Sequence, residues 1–394
     1  MTSCFRKKQG HFKKHSLVAF ISSSIMFSSS CLFGQDQQNI GYNIGLTALH
    51  EDNIFNQSSA VGDNSLSLTP EVAALKYFGK HQLTAGYEGE YTAYADYDEL
   101  NYILHTIGSE FIYDHSQRIN LELGLTHQQN KESPGTTNAS TNTLDDFVFY
   151  DQSGASATLK YGTSDSVGQI VGSYKYSQKR FDDSDQTYRD VNLNAFTAAF
   201  YYRVAPKTRT FLEVTLADYN YIDTSGASDQ SSNNYLYLGG IEWDLANKTT
   251  GVFKLGYQDK NYDADYFSEI TNLYYSLDMI WRPNTYSTVT LTAGRENQES
   301  ALEGYSGYVS NFYSLELSHE FTHRLNVGIE YQYDTYEISD RTDNSHDLAI
   351  NLTHSLSTWL EVSLAYDYQQ RDSNYDEYAY TSNSVALSLQ TKFE

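Results

Sequence analysis

Catalysis by a nucleophile, a base and an orienter needs complementary side chains that a fold can bring within hydrogen-bond reach. The 11 histidines of this chain are scattered, and no H-E-x-x-H, G-x-S-x-G or Cys/His cluster occurs. His105 and His127 stand on runs flanking one turn, where they could approach a Ser or Asp in the wall of a sheet. Ser and Asp are so abundant that this pairing carries little weight. No catalytic, cofactor-binding or metal-ligating residue is therefore assigned. Both cysteines, Cys4 and Cys31, lie near the N-terminus, which leaves the body without a disulfide or a thiolate metal site. Glu51-Asp52-Asn53 offers clustered oxygens to a divalent ion but reads more simply as a polar strand end.

The carboxylates are more informative, because they recur at every second residue of alternating runs. Glu88 and Glu90 share a face with Thr84, Gly86 and Thr92, while Leu83, Ala85, Tyr87, Tyr91 and Ala93 take the other. Leu212, Val214 and Leu216 oppose Glu213 in the same way, and Leu325, Val327, Ile329 and Tyr331 oppose Glu330. A water-soluble sheet rarely puts two glutamates on the face meant for a packed core. A barrel with lipid outside and water inside accepts them. Glu88, Glu90, Glu122, Glu213, Glu242, Asp244, Asp278, Glu316, Glu330 and Glu361 all fall in the polar phase and are expected to line a lumen. Lys160, Lys175, Lys254 and Lys392 share that phase, but acids predominate. Such a lumen would be net negative and would disfavour small anions. The competing reading is that these acids pair with lumen cations and merely brace the wall.

The elements that must carry them are strands. Tyr occurs 36 times, aromatics make up 15% and Pro only 4 residues, and no helical stripe is found after residue 40. No run of about 18 strongly apolar residues follows either, which excludes a helical membrane protein. Tight turns fall near Gly79, His115, Ser164, Pro206, Asn247, Asn284, His323 and Ser357, with long Asp/Ser/Asn/Gly-rich connections between them. This rhythm predicts an all-β fold: a single antiparallel transmembrane barrel of 18 strands (16 the alternative), with short periplasmic turns and long extracellular loops. The runs Asn101–Tyr113 and Asp151–Tyr161 are assigned on spacing more than on pattern. Tyrosines crowding strand ends, among them Tyr174 and Tyr176, Tyr201 and Tyr202, Tyr219 and Tyr221, Tyr274 and Tyr275, suit the membrane interface. Tyr174, Tyr202, Tyr257, Trp281, Tyr331, Trp359 and Phe393 are the expected girdle.

Arg6, Lys7, Lys8, Lys13 and Lys14 precede the Ser-diluted apolar stretch Leu17–Phe33, the layout of a signal peptide over residues 1–34. Cleavage after Gly34 or lipidation of Cys31 would both deliver residues 35–394 beyond the cytoplasm. The last run, Ser384–Glu394, keeps strand phase, although the aromatic that assembly machinery reads is penultimate here. The formal net charge of −24 excludes nucleic acid as a partner, since phosphates require a basic face.

Gly239-Gly240-Ile241-Glu242-Trp243, Lys254-Leu255-Gly256-Tyr257, Trp281-Arg282-Pro283 and Arg295-Glu296 resemble the Putative beta-barrel porin 2 family. Upstream, Glu51-Asp52-Asn53-Ile54-Phe55 and Thr69-Pro70 are similar to that family's first strands. The resemblance implies a barrel in the outer membrane of a Gram-negative-type (diderm) bacterium, of a kind associated with capsule or exopolysaccharide production. It supplies no catalytic residues. Export or surface assembly of exopolysaccharide is the first functional expectation. A general diffusion porin for small solutes is the second, and a structural or adhesive barrel with a plugged lumen the third. Expected partners are outer-membrane lipid and lipopolysaccharide, the barrel-assembly machinery, and polysaccharide or small solutes; no cofactor is expected.

Overall fold

A computed structural model describes residues 40–135, 146–222, 229–245, 248–301 and 305–393. The expected signal peptide, both cysteines, Asn247 and Glu394 lie outside the described residues. The strands run β1 Ile40–Glu51, β2 Asp63–Phe78, β3 His81–Tyr94, β4 Tyr102–Ser116, β5 Ile119–Glu132, β6 Val148–Tyr161, β7 Gly168–Phe181, β8 Val191–Ala205 and β9 Thr208–Tyr221. They continue as β10 Ser232–Leu245, β11 Thr249–Tyr262, β12 Ile270–Trp281, β13 Ser287–Gln298, β14 Tyr308–Thr322, β15 Leu325–Ile338, β16 Arg341–Ser355, β17 Leu360–Ser373 and β18 Tyr380–Phe393. Each pairs antiparallel with its sequence neighbours, and β1 pairs with β18, so the 18-stranded sheet closes on itself. The two runs placed by spacing are β4 and β6.

Strand parity fixes which side chains face which way. On β5 the exposed phase carries Leu123 and Leu125; on β9 it carries Leu212, Val214 and Leu216; on β18, Val385, Leu387 and Leu389. These apolar rows form the outer wall, and the opposite phase faces inward. Short turns close one end of the barrel. Gly79, with φ at +65°, makes the two-residue β2–β3 turn, a backbone state that costs glycine nothing. At Trp281-Arg282-Pro283-Asn284, the Arg282 N–H donates to the Lys248 carbonyl and the Asn284 side chain accepts from the backbone of Tyr286 and Ser287.

Inside the wall, glycines leave room for rings. A Cβ on Gly240 would meet the Phe211 ring of β9, and one on Gly294 the Phe312 ring of β14. Both pairs sit on the inward phase, where the aromatic covers backbone that glycine would leave bare.

Candidate functional site

All ten acids expected in the lumen lie on the inward phase of their strands. Five of them are paired: Glu122 with Lys160, Glu213 with Lys254 at 2.9 Å, Glu242 with Arg209 at 2.7 Å, Asp244 with Lys207 at 3.6 Å, and Glu361 with Lys392. Glu90 accepts from the Tyr102 hydroxyl, and Glu330 accepts from Ser314 at 2.8 Å. Two cross-strand pairs place carboxylates directly opposite one another: Glu71 faces Glu88 between β2 and β3, and Glu316 faces Glu330 between β14 and β15. Like charges in that position destabilise a sheet, and only a polar, hydrated or cation-rich lumen reduces the penalty. Asp278 is exposed, between Val252 and Thr292 on the flanking strands.

Charge is unevenly distributed around the wall. Among the described residues, the inward phase of β6 to β11 carries Lys160, Lys175, Lys179, Arg203, Arg209, Lys254 and Lys260 against Glu213, Glu242 and Asp244. On the inward phase of β12 to β18 and β1 to β4 the cations are Arg341, Arg371 and Lys392. Facing them are the acids Asp278, Glu296, Glu316, Glu330, Asp334, Asp343, Asp347, Asp367, Glu71, Glu88, Glu90 and Glu110, with others. The lumen thus has a basic sector inside a largely acidic wall. The basic sector was only partly anticipated: Lys179, Arg203, Arg209 and Lys260 share the inward parity, and a pattern drawn from acids alone passes over them.

The extracellular half is narrowed by segments that turn inward. The connection after β13 leans across to the basic sector, where Glu299 pairs with Lys260 and accepts from the Tyr221 hydroxyl at 3.1 Å. Beyond it, the Ala301 carbonyl accepts from Tyr188, which belongs to a short 3-10 helix between β7 and β8. The Tyr305 carbonyl accepts from Gln230, and the Gly307 N–H donates to the Tyr262 hydroxyl. Arg189 of the same 3-10 helix is buried against Glu132 at 2.8 Å, with Lys179 on the other side of that carboxylate.

This packing corrects the reading of the tyrosines. Tyr219, Tyr221 and Tyr274 are buried inside the barrel, the last only 2% exposed, and Tyr201 also faces inward. The physical reason is parity: adjacent Tyr201 and Tyr202 must face opposite ways, and Tyr219 and Tyr221 are out of phase with lipid-facing Leu212 to Leu216. Tyr174, Tyr202, Tyr257, Trp281, Tyr331 and Trp359 are exposed on the outer wall, and Phe393 stacks between Tyr42 and Trp359 there.

The histidines hold no catalytic set among the described residues. His127 Nδ1 lies 2.9 Å from Ser153 Oγ and His105 Nδ1 lies 2.9 Å from the Tyr87 hydroxyl, all on the outward phase. Among the described residues no third group is hydrogen-bonded to either ring. Asp52 binds the backbone and side chain of Asn383, and Asn53 the carbonyls of Gln57 and Thr381, so this acidic turn clips β1 to β18. Among the described residues no cluster suited to a metal ion is present.

At the short-turn end the lumen opens into a cavity of about 740 Å³. Lys80, Asp114, Arg118, Asn120, Glu122, Lys160, Gln169, Tyr201 and Arg209 line it. Arg209 donates to Gln169 at 2.8 Å and lies over the Tyr201 ring, 4.6 Å from its centroid.

A closed barrel of 18 strands, apolar outside and charged within, defines an outer-membrane channel protein. The chain belongs to the Putative beta-barrel porin 2 family, whose model matches residues 42–393. OccK2 (OpdF) of Pseudomonas aeruginosa has a similar structure, with a TM-score of 0.50 and 10% identity over 90% of this chain and 98% of its own. A BenF-like porin from Pseudomonas fluorescens Pf-5 is similar at a TM-score of 0.50 and 9% identity, over 90% and 99%. At such identities the likeness is one of fold. No curated protein matches the chain. Family and fold together assign it to the outer membrane of a Gram-negative bacterium.

Proposed function

We propose that this protein is a water-filled outer-membrane channel for passive passage of small polar solutes, with a lumen that favours cations over small anions. The observation that carries the reading is the pair of face-to-face carboxylates, Glu71 with Glu88 and Glu316 with Glu330, set in an acidic sector of an 18-stranded wall. Barrels of 16 to 18 strands are wide enough for an aqueous path, and rings of carboxylates concentrate cations. The family description, a porin, supports small-solute passage; nothing in it speaks for exopolysaccharide export, the first expectation from sequence. The inward segments of the extracellular half narrow the path and set its size limit.

The test is reconstitution of the full chain in planar bilayers under a potassium chloride gradient, together with liposome swelling in amino acids, hexoses and larger oligosaccharides. A reversal potential of cation sign, and swelling that falls off with solute size, is the expected result. Anion preference would overturn the selectivity. An absence of conductance would overturn the channel.

A further inference from the structure

We propose that the cavity at the periplasmic end of the barrel, between the β2–β3 turn and β9, is a binding site for small hydroxylated carboxylates. The site stands on its own residues and opens at the short-turn end, so it takes its ligand from the periplasm and does not need a small anion to cross the cation-favouring lumen. The cavity, about 740 Å³, falls within the size range of small-molecule pockets. Its lining carries Lys80, Arg118, Lys160 and Arg209 against Asp114 and Glu122. That is a net positive surface in a chain whose formal charge is −24.

Two of these cations are already neutralised: Lys160 by Glu122, and Arg209 by Glu242. The other two carry the attraction. Arg118 is exposed on the β4–β5 turn and makes no ion pair among the described residues. Lys80, on the β2–β3 turn, donates only to an uncharged partner, the His115 carbonyl, at 2.7 Å. A guanidinium presents a planar fork that matches a carboxylate with two parallel hydrogen bonds, and an ammonium beside it adds a point charge.

The rest of the wall suits a hydroxylated body. Tyr201 is held firm between the Arg209 guanidinium and the Phe211 ring, whose centroid is 4.9 Å away. With Arg209 and Phe211 against its faces, the ring offers its edge and hydroxyl to the cavity, a polar rim suited to a hydroxylated ligand. Asn120 and Gln169 are committed to Asp114 and Gly162, which holds the floor in place. The hydroxyls of Ser116 and Ser164 line the mouth.

Titration calorimetry on the full chain in detergent, with gluconate as ligand and sorbitol as its uncharged counterpart, tests this without requiring conduction. Saturable uptake of gluconate, absent for sorbitol, is expected. The K80Q/R118Q variant, altered only in turns, should weaken it by about tenfold or more. For the unaltered protein, raising salt from about 0.1 M to 1 M shortens the screening length from about 10 Å to 3 Å and should weaken uptake too. Equal binding of gluconate and sorbitol, no saturable heat, or gluconate binding insensitive to both variant and salt would overturn the site. Conductance without gluconate binding sinks the site alone; gluconate binding without conductance sinks the channel alone.

Discussion

Removing the Glu299 carboxylate should release the segment that narrows the lumen. Lys260 is only 1% exposed, while Glu299 is 21% exposed. Glu299→Ala therefore strands a buried ammonium and leaves the Tyr221 hydroxyl without its acceptor. Breaking a fully buried pair costs about 3–5 kcal/mol. Glu299 is partly exposed, so we place the cost lower, at about 1.5–3 kcal/mol, the range of a hydrogen bond to a charged group. That corresponds to a roughly 10- to 140-fold rise in the ratio of released to seated segment. The barrel itself should stay intact, because the lost contacts are not among its strand pairings. Single-channel recording should show larger or more frequent high-conductance events, and hydrogen exchange should quicken at Ser300, Ala301 and Tyr305 to Gly307. K260M supplies the contrast. It replaces the buried charge by an apolar chain of similar length and leaves Glu299 near water, so its effect should be small, and K260M/E299A should be milder than E299A alone. Equal damage from K260M and E299A would refute the reasoning, as would an E299A channel with unchanged conductance and exchange.

Two further outcomes follow from the wall and the loops. Leu125 is 61% exposed on the outer phase of β5, so L125R should cost about 2–4 kcal/mol if it lies near the bilayer midplane, read as a lower denaturation midpoint in lipid vesicles. At the extracellular end, the Tyr375 hydroxyl donates to Asp340 at 2.6 Å and holds its carboxyl below the usual range. A carboxyl with a lowered folded pKa contributes stability above its unfolded value, near 4, and loses it as pH falls through the folded value. The clasp between the β15–β16 turn and the loop before β18 should therefore persist at neutral pH and loosen only in acid, seen as faster exchange around Asn374 to Ala379. Y375F should abolish that acid-dependent step.

Much of the wall was legible because strand parity is local. Leu212, Val214 and Leu216 identify the lipid face of β9, and the same parity already sends Glu213, Tyr219 and Tyr221 inward. The interface reading of Tyr201, Tyr219, Tyr221 and Tyr274 went wrong because residue type was allowed to outweigh phase. The runs that became β4 and β6 lack a clean pattern: His105 and Ser109 interrupt the outer face of one, Gly154 and Ser156 thin the inner face of the other. Turn spacing located them instead. The inward segments were not legible at all. Lys260 and Glu299 are 39 residues apart, and Tyr188 meets Ala301 across 113; nothing local to either marks the contact. The basic cavity is a similar case, since Lys80, Arg118, Lys160 and Arg209 come from separate hairpins that the closed sheet brings to one end.

The seam between β1 and β18 has a kinetic meaning. Every other strand pairing joins sequence neighbours and can form soon after the two strands are made. This one pairs Tyr42 with Phe393 and Glu51 with Ser384, partners 351 and 333 residues apart. The closure entropy of so long a loop is met only once, and until then both β1 and β18 present unpaired edges that could add a foreign strand. The ladder, the Tyr42–Phe393 stack and the Asp52–Asn383 clip place contacts at both ends of that seam. Closure is thereby the slow, non-local step expected to limit folding, and substitutions at Asp52 or Phe393 should slow assembly more than they weaken the finished barrel.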